Sequence, residues 1–133
     1  MKKILIISAI IIIAIVGLFF VFTSGGSKNQ TSQPSQSSQI ANEIANGSAV
    51  LLDVRTLQEF NAGHAAQAIN FDSVRVNQGE LPDIPKSKKI YLYCRSGHRA
   101  AQVKQSLESK GYQNIVNLGG LPQMKNIGFV IGS

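Results

Sequence analysis

The run Ile90-Tyr91-Leu92-Tyr93-Cys94-Arg95-Ser96-Gly97-His98-Arg99-Ala100-Ala101-Gln102-Val103-Lys104-Gln105-Ser106-Leu107 reads as strand, loop and helix in succession. Ile90–Tyr93 is an apolar strand, Gly97 permits a tight turn, and a helix over Arg99–Lys110 stops at Gly111. Cys94, the only cysteine of the chain, falls where the strand ends and the loop begins. The helix N-terminus presents free N–H groups and partial positive charge, and Arg95 and Arg99 add full charges. That environment favours a thiolate, the nucleophilic form of cysteine. Successive N–H groups turned inward around Gly97 would form a nest for an anion. Two chemistries suit a sulfur nucleophile under such donors. One is transfer of sulfane sulfur through a cysteine persulfide; the other is attack on phosphate or arsenate. A lone cysteine is otherwise most often a small buried hydrophobe. Two arginines, a histidine and a glycine around it argue for the reactive reading.

Outward from this run, strands and helices alternate. Ile40, Ala41, Ile44 and Ala45 share a helical face, with Gly47 as the stop. Ala49–Val54 is an apolar run with Asp53 near its end, as a strand buried on both faces should look. Thr56 and Glu59 have capping-box spacing at the head of a short helix. Ala68–Phe71 and Ile115–Leu118 read as strands, with a short helix near Ser73–Gln78 and a final helical turn at Leu121–Asn126. The pattern predicts an α/β fold: a parallel sheet of about five strands with helices on both faces. Ligands of such sheets bind beyond the carboxyl ends of the strands. Cys94 and the segment Asp53-Val54-Arg55 both fall at such ends.

Cys94-Arg95-Ser96-Gly97-His98-Arg99 resembles the active-site loop of the rhodanese family, Cys-Arg-x-Gly-x-Arg. Asp53-Val54-Arg55-Thr56-Leu57-Gln58-Glu59-Phe60-Asn61-Ala62-Gly63-His64 resembles that family's Asp-Val-Arg-x-x-x-Glu-Phe-x-x-Gly-His segment. Ala68-Ile69-Asn70 continues it, and Leu118-Gly119-Gly120 is similar to the family's C-terminal Gly-Gly turn. Three motifs in order cover roughly residues 38–133. The chain departs from the pattern at Ala65, where Ile or Val is usual, and at Gln67, where Gly often stands. Met124 lies where Trp commonly follows the Gly-Gly turn, and the chain has no Trp.

The resemblance implies a thiosulfate sulfurtransferase-like enzyme. Cys94 is then the catalytic nucleophile, and Arg95, Ser96, Gly97, His98 and Arg99 form the substrate-binding cradle. Arg99 is also a candidate partner for a carboxylate behind the loop, and Asp53 and Arg55 are supporting residues at the strand end. The His98 side chain is expected to face solvent, and Glu59 is read as a cap. The implied partners are a small anionic sulfur donor and a thiol or cyanide acceptor. The two histidines and one cysteine are far apart in sequence and show no metal-ligand spacing, so neither metal nor other cofactor is expected.

Two other classes fit the same residues. A rhodanese-like phosphatase or arsenate reductase would share the fold, but those enzymes carry five residues between the loop's Cys and Arg. Cys94 and Arg99 enclose four. A non-catalytic docking module is the third class, and the presence of Cys94 ranks it last.

The N-terminus is separate from this domain. Lys2 and Lys3 precede nineteen uncharged residues, Ile4 to Phe22, which reach roughly 29 Å as a helix and match a bilayer core. Residues 1–22 therefore read as a signal anchor and transmembrane helix, with the lysines cytoplasmic and the catalytic domain extracytoplasmic. Cleavage at Ser24-Gly25-Gly26 would instead release the domain. Residues 23–37 form a Ser/Gln/Gly-rich linker with a reach of about 20–25 Å. The chain of 133 residues carries a net charge of +6. Residues 38–133 hold ten Lys/Arg against seven Asp/Glu, a balance of only +3, which gives no case for nucleic acid. A monomer is expected.

Overall fold

The computed structural model describes residues 35–132. Ser35 caps the first helix, α1 (Gln36–Ala45), through its side-chain oxygen, which accepts the Ser38 N–H. There follow β1 (Ala49–Asp53), α2 (Leu57–Asn61), β2 (His64–Ala65), β3 (Ala68–Asn70) and α3 (Ser73–Asn77). The chain then runs through β4 (Lys89–Tyr93), α4 (His98–Ser109), β5 (Ile115–Asn117), α5 (Leu121–Asn126) and β6 (Ile131–Gly132). The expected membrane segment, 1–22, and most of the expected linker lie outside the described residues. Helix α1 takes in Gln36 and Ser37, the last two residues of that linker. Among the described residues no helix is long and apolar enough to cross a membrane.

Four parallel strands make the main sheet, in the order β3-β1-β4-β5. The expectation of about five strands is thus corrected to four. The remaining extended segments, β2 and β6, pair antiparallel as a separate two-stranded ribbon, joining His64 to Gly132 and Ala65 to Ile131. Two-residue strands of Ala, Gly, His and Ile carry no alternating pattern, so only tertiary pairing defines them.

Both faces of the sheet are covered, because the strand residues alternate between two cores. Leu52, Val54, Ile90, Leu92 and Cys94 join Val76 of α3 and Ala100, Val103 and Leu107 of α4. Ala49, Leu51, Tyr91 and Tyr93 join Ile40 of α1 and Met124 of α5 on the other side. Each enclosed leucine stabilises the fold by about 1.5–3 kcal/mol. Met124, in the region where the family commonly has Trp, is fully buried. Gln67 adopts φ +66°, the left-handed conformation that a glycine takes without penalty, which accounts for the family's Gly at that turn.

The connectivity places a crevice. Strands β1 and β4 are neighbours, but β1 leads to β3 on one flank and β4 leads to β5 on the other. Connections leaving in opposite directions open a gap above the carboxyl ends of the two central strands. Asp53-Val54-Arg55 and Cys94 both stand at that gap.

Candidate active site

Cys94 follows directly on β4, and its N–H donates to the Gly119 carbonyl at 3.2 Å. The chain turns at Gly97, at φ +92°, and enters α4 with no side-chain cap. This turn brings the Gly97 N–H to within 3.0 Å of the Cys94 sulfur. The backbone N–H groups of Arg95, Ser96, His98, Arg99 and Ala100 have no protein partner among the described residues. They are open donors, those of the helix because first-turn N–H groups lack an intrahelical acceptor. Cys94 itself is fully enclosed and belongs to the α4-side core. The sulfur therefore combines the two readings of the sequence: it is buried, and it receives an N–H of the loop.

The Gly-Gly turn after β5 closes against this loop. The Arg95 carbonyl accepts the Leu121 N–H at 3.1 Å, and Ser96 bridges to Gly120. A Cβ on Gly120 would lie 2.6 Å from the Arg95 carbonyl oxygen and 2.8 Å from Ser96 Cα. One on Gly97 would lie 3.2 Å from Gly119 Cα. Backbone meets backbone here, so both positions require glycine. Asn117, at the end of β5, spans the contact: its Nδ2 donates to the Gly97 carbonyl at 3.2 Å and its Oδ1 accepts the Gly119 N–H at 2.8 Å.

Of the cradle side chains, Arg95, Ser96 and His98 are exposed, and Arg99 is partly buried. Arg99 donates to both oxygens of Glu59, Nη1 to Oε2 at 2.7 Å and Nη2 to Oε1 at 2.9 Å. Glu59 also completes the capping box of α2, accepting the Thr56 N–H at 3.1 Å while Thr56 Oγ1 accepts the Glu59 N–H at 3.2 Å. The Arg99 hydrogen bonds outweigh desolvation and hold the Glu59 carboxyl down at about 2. The Arg99 guanidinium is correspondingly raised, chiefly by Glu59 and to a smaller degree by Cys94 beside it. The sequence marks Glu59 as a cap. Arg99 finds its expected carboxylate in Glu59, and that choice of partner, across 40 residues, is what no local pattern encodes.

Asp53 and Arg55 form a buried pair. Arg55 Nε donates to both Asp53 oxygens at 2.9 Å, and Nη2 donates to Oδ2 at 2.6 Å and to the Gly63 carbonyl at 2.7 Å. The pair ties the end of β1 to the turn before β2. Asn70 Nδ2 reinforces the same point by donating to the carbonyls of Asp53 and Arg55. Tyr93 completes the cluster: its hydroxyl accepts the Ala65 N–H at 3.0 Å, and burial, with Asp53 nearby, pushes its titration far up. His64 stacks on Phe60, with Nδ1 3.0 Å from the Phe60 carbonyl oxygen.

The family model of the rhodanese-like domain matches residues 36–126, and the chain belongs to that family. The adenylyltransferase and sulfurtransferase uba4 of Ogataea parapolymorpha is 34% identical over 74 residues, which are 55% of this chain and 19% of uba4. The thiosulfate sulfurtransferase PspE of Escherichia coli is 31% identical over 71 residues, 53% of this chain and 68% of PspE. The chain thus spans about a fifth of the first relative and about two thirds of the second. Among solved structures, the Rhodanese_3-like domain of the Alr3790 protein from Anabaena superposes with a TM-score of 0.57 at 28% identity, over 63% of this chain and 98% of that domain.

Proposed function

We propose that this protein is a thiosulfate sulfurtransferase that carries sulfane sulfur on Cys94. The observation that supports this most directly is the Cys94 sulfur at the carboxyl end of β4, receiving the Gly97 N–H at 3.0 Å beneath further open N–H groups. In the first half-reaction the thiolate attacks the outer sulfur of thiosulfate. The sulfur–sulfur bond of thiosulfate breaks, and sulfite leaves with its electron pair. The new terminal sulfur carries the negative charge, and the open N–H groups of the loop stabilise it as an oxyanion hole stabilises developing charge. In the second half-reaction cyanide, or a thiolate, attacks that terminal sulfur. The bond to Cys94 breaks, and thiocyanate or a new persulfide leaves.

Arg95, exposed at the loop, attracts the anion. Arg99, fixed by Glu59, keeps positive charge beside the sulfur. Asp53 and Arg55 support the crevice without touching substrate. Four residues between Cys94 and Arg99 favour this reading over phosphatase or arsenate reductase chemistry. The reaction also takes place outside the cytoplasm, with residues 1–22 as a single membrane anchor. That reading rests on the charge-free run behind Lys2 and Lys3.

The test is a paired assay. Thiocyanate formation from thiosulfate and cyanide should be measurable and lost in Cys94→Ser, while phosphate release from p-nitrophenyl phosphate should be absent. The reverse pattern would assign the loop to phosphate chemistry. Full-length protein in an alkaline-washed membrane fraction supports the anchor; a soluble protein beginning near Ser27 would show cleavage.

A further inference from the structure

The Gly-Gly turn and the catalytic loop meet through backbone contacts, with one side chain spanning them. Asn117 Nδ2 donates to the Gly97 carbonyl at 3.2 Å, and Asn117 Oδ1 accepts the Gly119 N–H at 2.8 Å. Only one orientation of the amide satisfies both partners, since one requires a donor and the other an acceptor. Gly97 is the residue whose N–H reaches the Cys94 sulfur, and it has no side chain to fix its backbone. Its carbonyl belongs to the same peptide plane as the His98 N–H, the first open donor of α4. That carbonyl also accepts the Ala101 N–H at 3.0 Å, so the Asn117 amide is its second hold, on the peptide plane that carries the His98 N–H. The Gly119 carbonyl, next to the other end of the amide, accepts the Cys94 N–H at 3.2 Å. Asn117 thus couples the donor side of the sulfur site to the strand side.

We propose that Asn117 is a positioning residue for sulfur transfer: it holds Gly97 and the start of α4 at the pitch that stabilises the terminal sulfur of the Cys94 persulfide. This rests on the reading of Cys94 as a sulfur carrier. Asn117 touches no reacting atom and acts through Gly97. Its role differs from that of a packing residue because both hydrogen bonds matter, and each can be removed separately. Asn117→Ala removes both. Asn117→Asp keeps the acceptor for Gly119 but, while ionised, turns a negative oxygen toward the Gly97 carbonyl. On protonation the carboxylic acid regains a donor for that carbonyl.

The experiment measures persulfide formation under single turnover with thiosulfate, steady-state kcat and KM, and amide hydrogen exchange at Gly97 and Gly119. In Asn117→Ala, kcat should fall by roughly 10- to 100-fold, the scale of misplacing a catalytic group, with KM moving much less. Exchange at both glycines should accelerate while circular dichroism still reports a folded domain. In Asn117→Asp, the ratio of its rate to the wild-type rate should rise as pH falls from about 8 to about 5, as a carboxyl with a pKa near 4 begins to protonate. The other charged groups at this end are Cys94, Arg95, His98, and Arg99 with Glu59. They are present in both proteins, so the ratio removes their shared titration and leaves what the new carboxylate adds, its pull on Cys94 and His98 included. Wild-type kcat in Asn117→Ala, unchanged exchange at Gly97, or a ratio flat with pH would each overturn the proposal. A wild-type protein that forms no persulfide would overturn the sulfur-carrier reading instead, and Gly97 exchange would still decide whether Asn117 holds the loop.

Discussion

Arg99 grips both oxygens of Glu59, a residue that at the same time caps α2 through Thr56. One carboxylate thereby joins the helix after β1 to the helix after β4, across the mouth of the crevice. The two functions of Glu59 separate by chemistry, because a glutamine in a capping box still accepts the N-cap N–H but carries no charge.

Glu59→Gln should therefore keep α2 and lose the ion pair, at a cost of about 1–2 kcal/mol near pH 7 for a bidentate, partly exposed contact. The folded carboxyl titrates at about 2, against an ordinary value of 4.5. A depressed value means the stabilisation is complete above about pH 4.5 and is lost as pH falls toward about 2. Urea unfolding at pH 7 and at pH 3 checks this: the gap between wild type and variant should narrow at the lower pH. An equal gap at both would mean that charge plays no part.

Asp53 and Arg55 are both buried, and removing either leaves the other charge uncompensated. Asp53→Ala alone or Arg55→Ala alone should each cost about 3–5 kcal/mol. The double variant should cost clearly less than their sum. Additive losses in chemical denaturation would show that the two residues stabilise the fold independently.

Gly120→Ala would drive a methyl group to 2.6 Å from the Arg95 carbonyl oxygen. Backbone cannot swing aside as a flexible side chain does, so the catalytic loop must move. Sulfur transfer should fall well over tenfold, on the scale of losing loop geometry. Circular dichroism should still report a folded domain. Wild-type turnover in this variant would show that the Gly-Gly turn does not set the loop.

Gln67→Gly removes a left-handed strain at φ +66°, worth about 1–2 kcal/mol, against a glycine entropy cost of about 0.5–1 kcal/mol. The net effect should be a gain of up to about 1 kcal/mol with no change in activity. A lower thermal midpoint would contradict the reading of that turn.

Much of this architecture is legible in the chain because it is local. The apolar run ending at Tyr93, Gly97 and the following helix define the catalytic segment within a few residues of each other. Thr56 and Glu59 announce α2 at capping distance, and Leu121–Asn126 forms the expected last helix. What the chain conceals is pairing at a distance. Ile131–Gly132 becomes a strand only because His64–Ala65 lies beside it. The Glu59–Arg99 grip and the Asn117 bridge join residues 40 and 20 positions apart. No periodicity marks them. Gln67 shows the reverse case: a residue that looks wrong for its turn adopts the conformation the turn demands.

Intact-protein mass spectrometry decides whether Cys94 carries the sulfur. After incubation with thiosulfate and removal of excess, the wild-type domain should gain the mass of one sulfur atom, and cyanide should remove it with release of thiocyanate. Cys94→Ser, folded as wild type, should gain nothing, because only the thiolate can hold the transferred atom. A wild-type protein of unchanged mass, or a Cys94→Ser protein that still gains sulfur, would show that Cys94 is not the sulfur carrier.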